Sequence, residues 1–409
     1  MEYEITIGLE THIMQNTKTK MFCGCKYEYG SLPNIYVCAV CLGYPGSLPV
    51  INRKAVELCC KAGILLGCRI NNFSNWDRKN YFYPDMSKNY QITQNDNPLC
   101  LEGEIELDVN GRKRKIQIER IHQEENAAKN IHADGSTHID YNRAGTALME
   151  IVSKPCMHST DEVLAYMNAI KEIMQYGGIS NCDQEKGQMR SDVNISVKPK
   201  SQEQLGAKVE IKNMNSFAFI VEAINYEVER QSDILKNGGI IDQETRGYDS
   251  IRGETFIQRT KENAHDYRYF PEPDLLPLHI TNEEIEQWSN ELPELPNQRR
   301  NRYINNLSLP EYDANILTSD KIISDWFEEV IKYTSNYKGA SNFIMGDIMR
   351  LLSEHDITLQ NSKLTPKVFS QIISFIDEKK ININSGRELI EIIFINGGDP
   401  NEIINNKGM

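Results

Sequence analysis

Residues 3–25 read YEITIGLETHIMQNTKTKMFCGC. The first seven alternate apolar and polar side chains, the period of a half-buried β-strand. Carrying that period on puts Glu10 and His12 on one strand face,. Cys23 and Cys25 follow, opening a C-x-C-x12-C-x2-C pattern that Cys38 and Cys41 complete. A segment that had only to pack would rarely bring a carboxylate, an imidazole and two thiols so close together. This one stretch therefore introduces β-structure and a candidate site together.

Outward from it, strands and helices mix without a βαβ rhythm, which is the pattern of an α+β fold. Ala55–Leu66 has helical spacing up to Gly67, and Arg114–Ile121 alternates again. Ser159-Thr160-Asp161-Glu162 fits a capping box opening a helix that Gly177-Gly178 would end,. Val193–Val197 and Lys208–Ile211 are strand-like, and a long helix is expected from Ser216 to Gly238-Gly239. Pro271, Pro273 and Pro277 break regular structure. Helical candidates follow at Pro296–Asn305, Asp320–Tyr333, Asn342–Ser353, Pro366–Asp377 and Arg387–Ile395. The expected organisation is a mixed domain over residues 1–292 and a smaller all-helical domain over 293–409.

The 409 residues exceed one ordinary core, and the composition (40% hydrophobic, 25% charged) is that of a globular protein,. Apolar runs are short and the N-terminus lacks a signal-peptide layout. A cytoplasmic protein with no membrane association is the expectation, or an organellar-matrix one if a transit peptide was removed. A net charge of −13 argues against general nucleic-acid coating. Basic clusters at 112–115 (RKRK) and 299–302 (RRNR) read first as solvated surface and second as phosphate contacts,.

Cys59, Cys60, Cys68, Cys100, Cys156 and Cys182 read as small buried hydrophobes. Cys23, Cys25, Cys38 and Cys41 instead read as a closed tetrahedral Zn²⁺ site that staples a loop and catalyses nothing. Two disulfides are the rival reading and would need an oxidising compartment. Among acids, Glu10, Glu124, Glu125, Glu150, Asp192 and Glu210 are flanked by apolar or strand-like residues. Burying several carboxylates is costly unless a cation compensates them, and a hard divalent ion such as Mg²⁺ suits oxygen ligands with one imidazole. The phosphate-loop, dinucleotide and nucleophile-elbow motifs are missing, as is an obvious Ser-Lys amidase signature. Any use of ATP would run through an uncommon fold, and any ammonia would come from elsewhere.

Longer strings then become diagnostic. IDYNRAGTALMEI (139–151) closely resembles the signature of the B subunit (GatB) of the glutamyl/aspartyl-tRNA amidotransferases. IGLETHI, MFCGC with VCAVCLGYPGSLPVIN, WDRKNYFYPDMSKNYQITQ, RIHQEENAAK, QMRSDVNISV, KVEIKNMNSF and AHDYRYFPEPDLLPL follow in the family's order. LPELP, LPEYDANILTS and ASNFIMGDIMRLL extend the likeness into the helical half. The resemblance implies a kinase-like cradle domain followed by a helical domain. It implies a subunit that phosphorylates the side-chain carboxylate of Glu-tRNA(Gln), Asp-tRNA(Asn) or both with ATP and Mg²⁺. Ammonia channelled from an amidase (A) subunit then displaces phosphate, a small C subunit completing the heterotrimer.

By that resemblance Glu10, His12, Glu125 and Glu150 are expected to be catalytic and to hold Mg²⁺, with Glu124 and Glu210 as further Mg²⁺ ligands. Arg143, Arg190 and Lys79 are expected at ATP phosphates or carboxylates, each with a structural ion pair as the alternative. Tyr81-Phe82-Tyr83-Pro84 reads either as core packing or as a platform beside the tRNA end. Thr11 and Ala147 stand where the family often has valine and proline. Asn126 and Ala128 replace its acidic and glycine choices. The chain ends near the start of the family's tail domain, which contributes to tRNA recognition, so that tail is expected to be absent. The competing expectation is a non-catalytic, zinc-stapled RNA-binding or scaffold protein, or a tail-less paralogue with altered substrate.

Overall fold

The computed structural model describes residues 2–260 and 266–408. Ala264 and His265 of the AHDYRYF string, and the terminal Met409, lie outside them. The chain divides into two compact units, residues 1–293 and 294–409.

The first unit is mixed α and β. Its strands are β1 (Tyr3–Met14), β2 (Arg69–Ile70), β3 (Phe73–Ser74), β4 (Asp77–Asn80), β5 (Tyr90–Thr93), β6 (Cys100–Val109), β7 (Arg112–Glu125) and β8 (Lys129–Ala133). They continue with β9 (Ser136–Asp140), β10 (Ala147–Ser153), β11 (Met189–Pro199), β12 (Val209–Lys212), β13 (Glu244–Asp249), β14 (Glu254–Thr260), β15 (Phe270–Pro271) and β16 (Leu278–His279). Its helices are α1 (Arg53–Leu65), α2 (Thr160–Tyr176), α3 (Phe217–Lys236) and α4 (Asn282–Asn290).

Nine strands form one sheet in the order β14-β13-β12-β11-β1-β10-β7-β6-β2. Every pairing is antiparallel except β12–β13, and α3 is the helix that lies between those two strands in the chain, as a parallel pair requires. The opening strand lies at the centre, flanked by β10 and β11. The period of two is strict there: Ile7, Leu9 and Ile13 are fully buried on one face, while Glu10 and His12 are half-buried on the other. The apolar face is covered by α1, packed on β6 and β7, by α2 on β6, and by α3 on β11 and β14. Val163, Met167, Ile170 and Met174 of α2 supply its buried stripe, the i, i+3/i+4 spacing of an amphipathic helix.

Local signals explain the boundaries. The Ser216 hydroxyl accepts from the Phe219 N–H and caps α3,. Ser159 accepts from the Glu162 N–H, but the Glu162 carboxylate reaches back to the His158 N–H, one residue earlier than a capping box would place it. A small second sheet, β15-β4-β5, packs against β7 through β5. Most strands beyond β1, β7, β11 and β12 carry weaker alternation or are very short; β6 alternates as clearly as β7 and is a strand that sequence reasoning leaves out.

The second unit is helical: α5 (Pro296–Leu307), α6 (Glu311–Ser319), α7 (Lys321–Val330), α8 (Tyr337–Phe343), a π-turn (Ile344–Ile348), α9 (Met349–His355), α10 (Pro366–Asp377), α11 (Ile383–Asn396) and α12 (Pro400–Lys407). Phe327, Ile344, Phe369 and Leu389 are fully buried in its own core. α10 spans the expected residues, with Thr365 as its cap and Pro366 at its first position,. No helix among the described residues is long and apolar enough to cross a membrane.

Neither basic cluster is a free cationic patch. Lys113 and Lys115 pair with Glu106 and Glu104 of the adjacent strand. Arg299 and Arg302 pair with Glu294, Asp325 and Glu328.

Candidate active site

The face of the sheet opposite the helices lines an open cavity of about 900 Å³. Strand register decides what meets there. His12 lies opposite Glu150, and Glu150 opposite His122. On the other side Glu10 lies opposite Asp192, while Asn194 of β11 faces Glu210. Because side chains across a ladder stand close together, the central strands deliver their alternate residues to one place.

Two groups of donors result. One ligand atom from each of His12, Glu124 and Glu150 falls within 4.8 Å of the others, and the same holds for Glu10, Asp192 and Glu210. In the first group His12 Nε2 is 3.2 Å from Glu150 Oε2 and 4.0 Å from Glu124 Oε2. His122 Nε2 stands behind, 3.3 Å from Glu124 Oε1 and 3.5 Å from Glu150 Oε2. Thr93 Oγ1 donates to Glu124 Oε1 at 3.0 Å, and Gln91 Nε2 to Oε2 at 3.2 Å. In the second group Lys212 Nζ bridges Asp192 (2.6 Å) and Glu210 (2.9 Å), and Asn194 Nδ2 donates to Glu10 at 2.9 Å.

Electrostatics separate these acids. Burial and the charge of Glu150 push Glu10 above the usual carboxylate range. Burial also works against ionisation of Glu124 and Glu150. For Glu124 the charge of Lys79 and contacts with His122 and His12 outweigh it, and for Glu150 the two imidazoles do. Both carboxylates are thus held well below their ordinary values. Burial would lower His12, yet the charge and hydrogen bond of Glu150 raise it. Packed carboxylates of this kind, with imidazole nitrogens aimed between them, form a donor set that fits a hard divalent cation.

Of the expected residues, Glu10, His12, Glu124, Glu150 and Glu210 share this face, and Lys79 and Arg190 also line the cavity. Neither Lys79 nor Arg190 is within ion-pair distance of a carboxylate among the described residues. Arg190 Nη2 donates to Asn126 Oδ1 at 3.2 Å, and Lys79 Nζ lies 4.9 Å from the Tyr267 ring centre.

Two of the expected residues, Glu125 and Arg143, do not line this cavity. Glu125 follows Glu124 on β7, so the period of two turns it to the opposite face. There it pairs with Lys88 and accepts from the Ile92 N–H at 3.0 Å, away from the cavity. Arg143 does not reach the cavity either. Its guanidinium is spent on the Ala127 and Ala128 carbonyls, at 3.1 and 2.8 Å.

Sequence reasoning gives His122 and Lys212 no place in the site, and it counts Asp192 among the candidate acids but not in the Mg²⁺ set implied by the resemblance. A signal for both is nonetheless present, since His122 is two residues before Glu124 and Lys212 two after Glu210, on the same strand faces. Tyr81 and Tyr83 line the cavity, and Phe82 is 87% exposed, so 81–84 is not a core-packing stretch.

The four sulfurs of Cys23, Cys25, Cys38 and Cys41 lie within 4.8 Å of one another, and all four are free thiols. A Zn–S length of about 2.3 Å gives a tetrahedron with edges of about 3.8 Å, so the donor set fits zinc. The Cys38 N–H donates to Cys41 Sγ at 3.2 Å, and Lys20 Nζ is 3.5 Å from the same sulfur. The hydrogen bond between Cys23 and Cys41 draws the Cys41 thiol down and pushes the Cys23 thiol up, so without a metal the two sulfurs share a proton.

The acid-bearing sheet and the helical unit together define a class. Residues 5–286 match the family model described as "GatB/GatE catalytic domain", and residues 325–409 match "GatB domain". The chain belongs to the family of B subunits of the tRNA-dependent amidotransferases. It is 48% identical over 410 residues to the B subunit of the aspartyl/glutamyl-tRNA(Asn/Gln) amidotransferase of Persephonella marina. It is 47% identical to those of Caldicellulosiruptor saccharolyticus and Clostridium novyi. Each comparison covers 100% of this chain and 86% of the relative.

Proposed function

We propose that this chain is the component of a glutamine-dependent carbon–nitrogen ligase that activates and amidates the side-chain carboxylate of Glu-tRNA(Gln), Asp-tRNA(Asn) or both. The observation that carries this reading is the convergence of carboxylate and imidazole ligands, in two groups of three, on one wall of the cavity. A carboxylate is a poor electrophile. Its oxygen first attacks the γ-phosphorus of ATP, releasing ADP and leaving an acyl phosphate. Ammonia then adds to the acyl carbon, phosphate departs, and the nitrogen loses a proton to give the amide.

Within that scheme the residues hold and orient. His12, Glu124 and Glu150 would hold one Mg²⁺, and Glu10, Asp192 and Glu210 a second. Bound there, Mg²⁺ supplies neutralisation of charge on the transferring phosphoryl group. Lys79 and Arg190, with no acid partner at ion-pair distance among the described residues, offer positive charge to phosphate oxygens. Lys212 holds Glu210 below its ordinary value and pairs with Asp192 at 2.6 Å. Tyr81 and Tyr83 offer ring faces beside the same cavity.

Ammonia would come from an amidase partner through an internal channel, with a small third protein completing a heterotrimer in the cytoplasm. A kinase-like cradle describes this face in functional terms. The four cysteines would hold a structural Zn²⁺ beside it. A non-catalytic scaffold is disfavoured, because it would bear the cost of one buried and one half-buried acid cluster without using them,.

The test is reconstitution with the amidase partner, misacylated tRNA, ATP, Mg²⁺ and glutamine. Glu124→Gln is expected to abolish amidated tRNA while leaving glutamine hydrolysis in place. An intact wild-type complex that forms neither Gln-tRNA nor Asn-tRNA would overturn the reading.

A further inference from the structure

We infer that Glu125 and Lys88, on the side of the sheet away from the cavity, are positioning residues that set the affinity of the cation site by holding Glu124 through strand β5. The inference rests on the reading of Glu124 as a cation ligand.

Glu124 receives hydrogen bonds from Gln91 and Thr93, one on each oxygen. Both donors belong to β5, which is not a strand of the nine-stranded sheet. The orientation of Glu124 therefore depends on whatever fixes β5 against β7.

Glu125 does this. It is 3% exposed, its carboxylate accepts from the Ile92 N–H between those two donors, and it pairs with Lys88 just before β5 begins. Gln91 Nε2 also donates to the Glu125 carbonyl at 2.7 Å, so the same amide grips consecutive residues of β7. Further along, Gln94 Oε1 accepts from the Gln123 N–H at 3.0 Å and completes the seam.

Lys88 is itself constrained from outside. Ser87 Oγ donates to the Cys41 carbonyl at 2.7 Å, joining this turn to the four-cysteine element. The turn at Gly43 (φ +70°) lies close against the lysine stem with no room for a side chain. A Cβ at Gly43 would lie 2.8 Å from Lys88 Cγ and 3.1 Å from Lys88 Cα. The geometry thus runs from the cysteine loop through Ser87 and Lys88 to Glu125, then through Ile92 to the two donors on Glu124.

Groups that orient a ligand without touching the ion tune its affinity, and their loss typically costs about 10–100-fold. A purely structural ion pair would leave affinity alone. The readout is Mn²⁺ binding to the reconstituted complex, followed by electron paramagnetic resonance, for the binding that His12→Ala removes. Glu125→Gln and Thr93→Val are each expected to weaken it about 10–100-fold. The Mg²⁺ concentration for half-maximal amidation should rise in parallel, with kcat recovered at saturating Mg²⁺ and glutamine hydrolysis unchanged. Lys88→Arg should restore more affinity than Lys88→Met. Mn²⁺ affinity within about twofold of wild type in Glu125→Gln, well short of the expected loss, overturns the inference. If that variant fails to fold, the shape-conserving Thr93→Val decides, and wild-type affinity there overturns it equally. Since Mn²⁺ affinity is read without tRNA, absence of amidated product bears on the functional reading and not on this one.

Discussion

At the scale of single residues, Glu10 shows how the site trades stability for a cation. Its carboxylate is pushed up by burial and by Glu150, and it is relieved in part by Asn194 and Lys212. With no cation to answer it, that charge opposes folding at neutral pH. Glu10→Gln is therefore expected to raise metal-free stability by about 1 kcal/mol, the usual size of such a gain at a functional site. It should also weaken divalent-ion binding and amidation. Thermal melts with and without Mg²⁺ check this, and a variant less stable than wild type in metal-free buffer would contradict it. Glu124 and Glu125 teach the complementary lesson. Adjacent on β7, they belong to different faces, one to the cavity and one to the seam behind it. Resemblance points to the pair, and the pleat assigns each its work.

At the scale of elements, α3 is tied to β13 and β14 by a buried charged network. Glu227 of α3 is fully buried. It accepts from Arg230 at 2.9 Å, Gln231 at 2.8 Å and Thr255 at 2.5 Å, and lies 3.0 Å from Arg246. Burial alone would raise its pKa, but these partners hold it below the ordinary 4.5. For a depressed carboxylate the stabilisation is complete above the unfolded value and is lost as pH falls through the native one. Acid unfolding of the first unit should therefore steepen below about pH 4.5. Glu227→Gln should flatten that limb, as urea midpoints taken across pH would show. Glu227→Ala leaves the Arg230 and Arg246 guanidinium groups sharing Glu244 alone and should cost about 3 kcal/mol, the low end for a broken buried pair,.

At the scale of the whole molecule, the four-cysteine element is held only in part by its own packing, through Met21 and Phe22. The loop between β1 and α1 exposes Leu32, Leu48 and Val50 and has no regular secondary structure. Such a loop needs a staple. One equivalent of zinc per chain is expected by metal analysis. Replacing Cys38 and Cys41 by serine should release it and open residues 20–50 to limited proteolysis. Zinc-free protein with four reduced thiols and an unchanged digestion pattern would contradict this. The net charge of −13 is consistent with the acid pairing of both basic clusters, so electrostatic reach toward RNA is not a property of the surface as a whole.

By itself the sequence determined the class of fold, the opening strand, the long capped helices, the cysteine pattern and the family. These are recorded in local periodicity, turn chemistry and long ordered motifs, which need no knowledge of what lies across the chain. Tertiary structure alone decided that Glu10, Asp192 and Glu210 form one group and His12, Glu124 and Glu150 another. It also turned Glu125 and Arg143 away and brought His122 and Lys212 in. The reason is register: residues far apart in the chain, such as Glu10 and Asp192, meet because antiparallel ladders place them opposite one another, and a shift of one residue would send each to the other face.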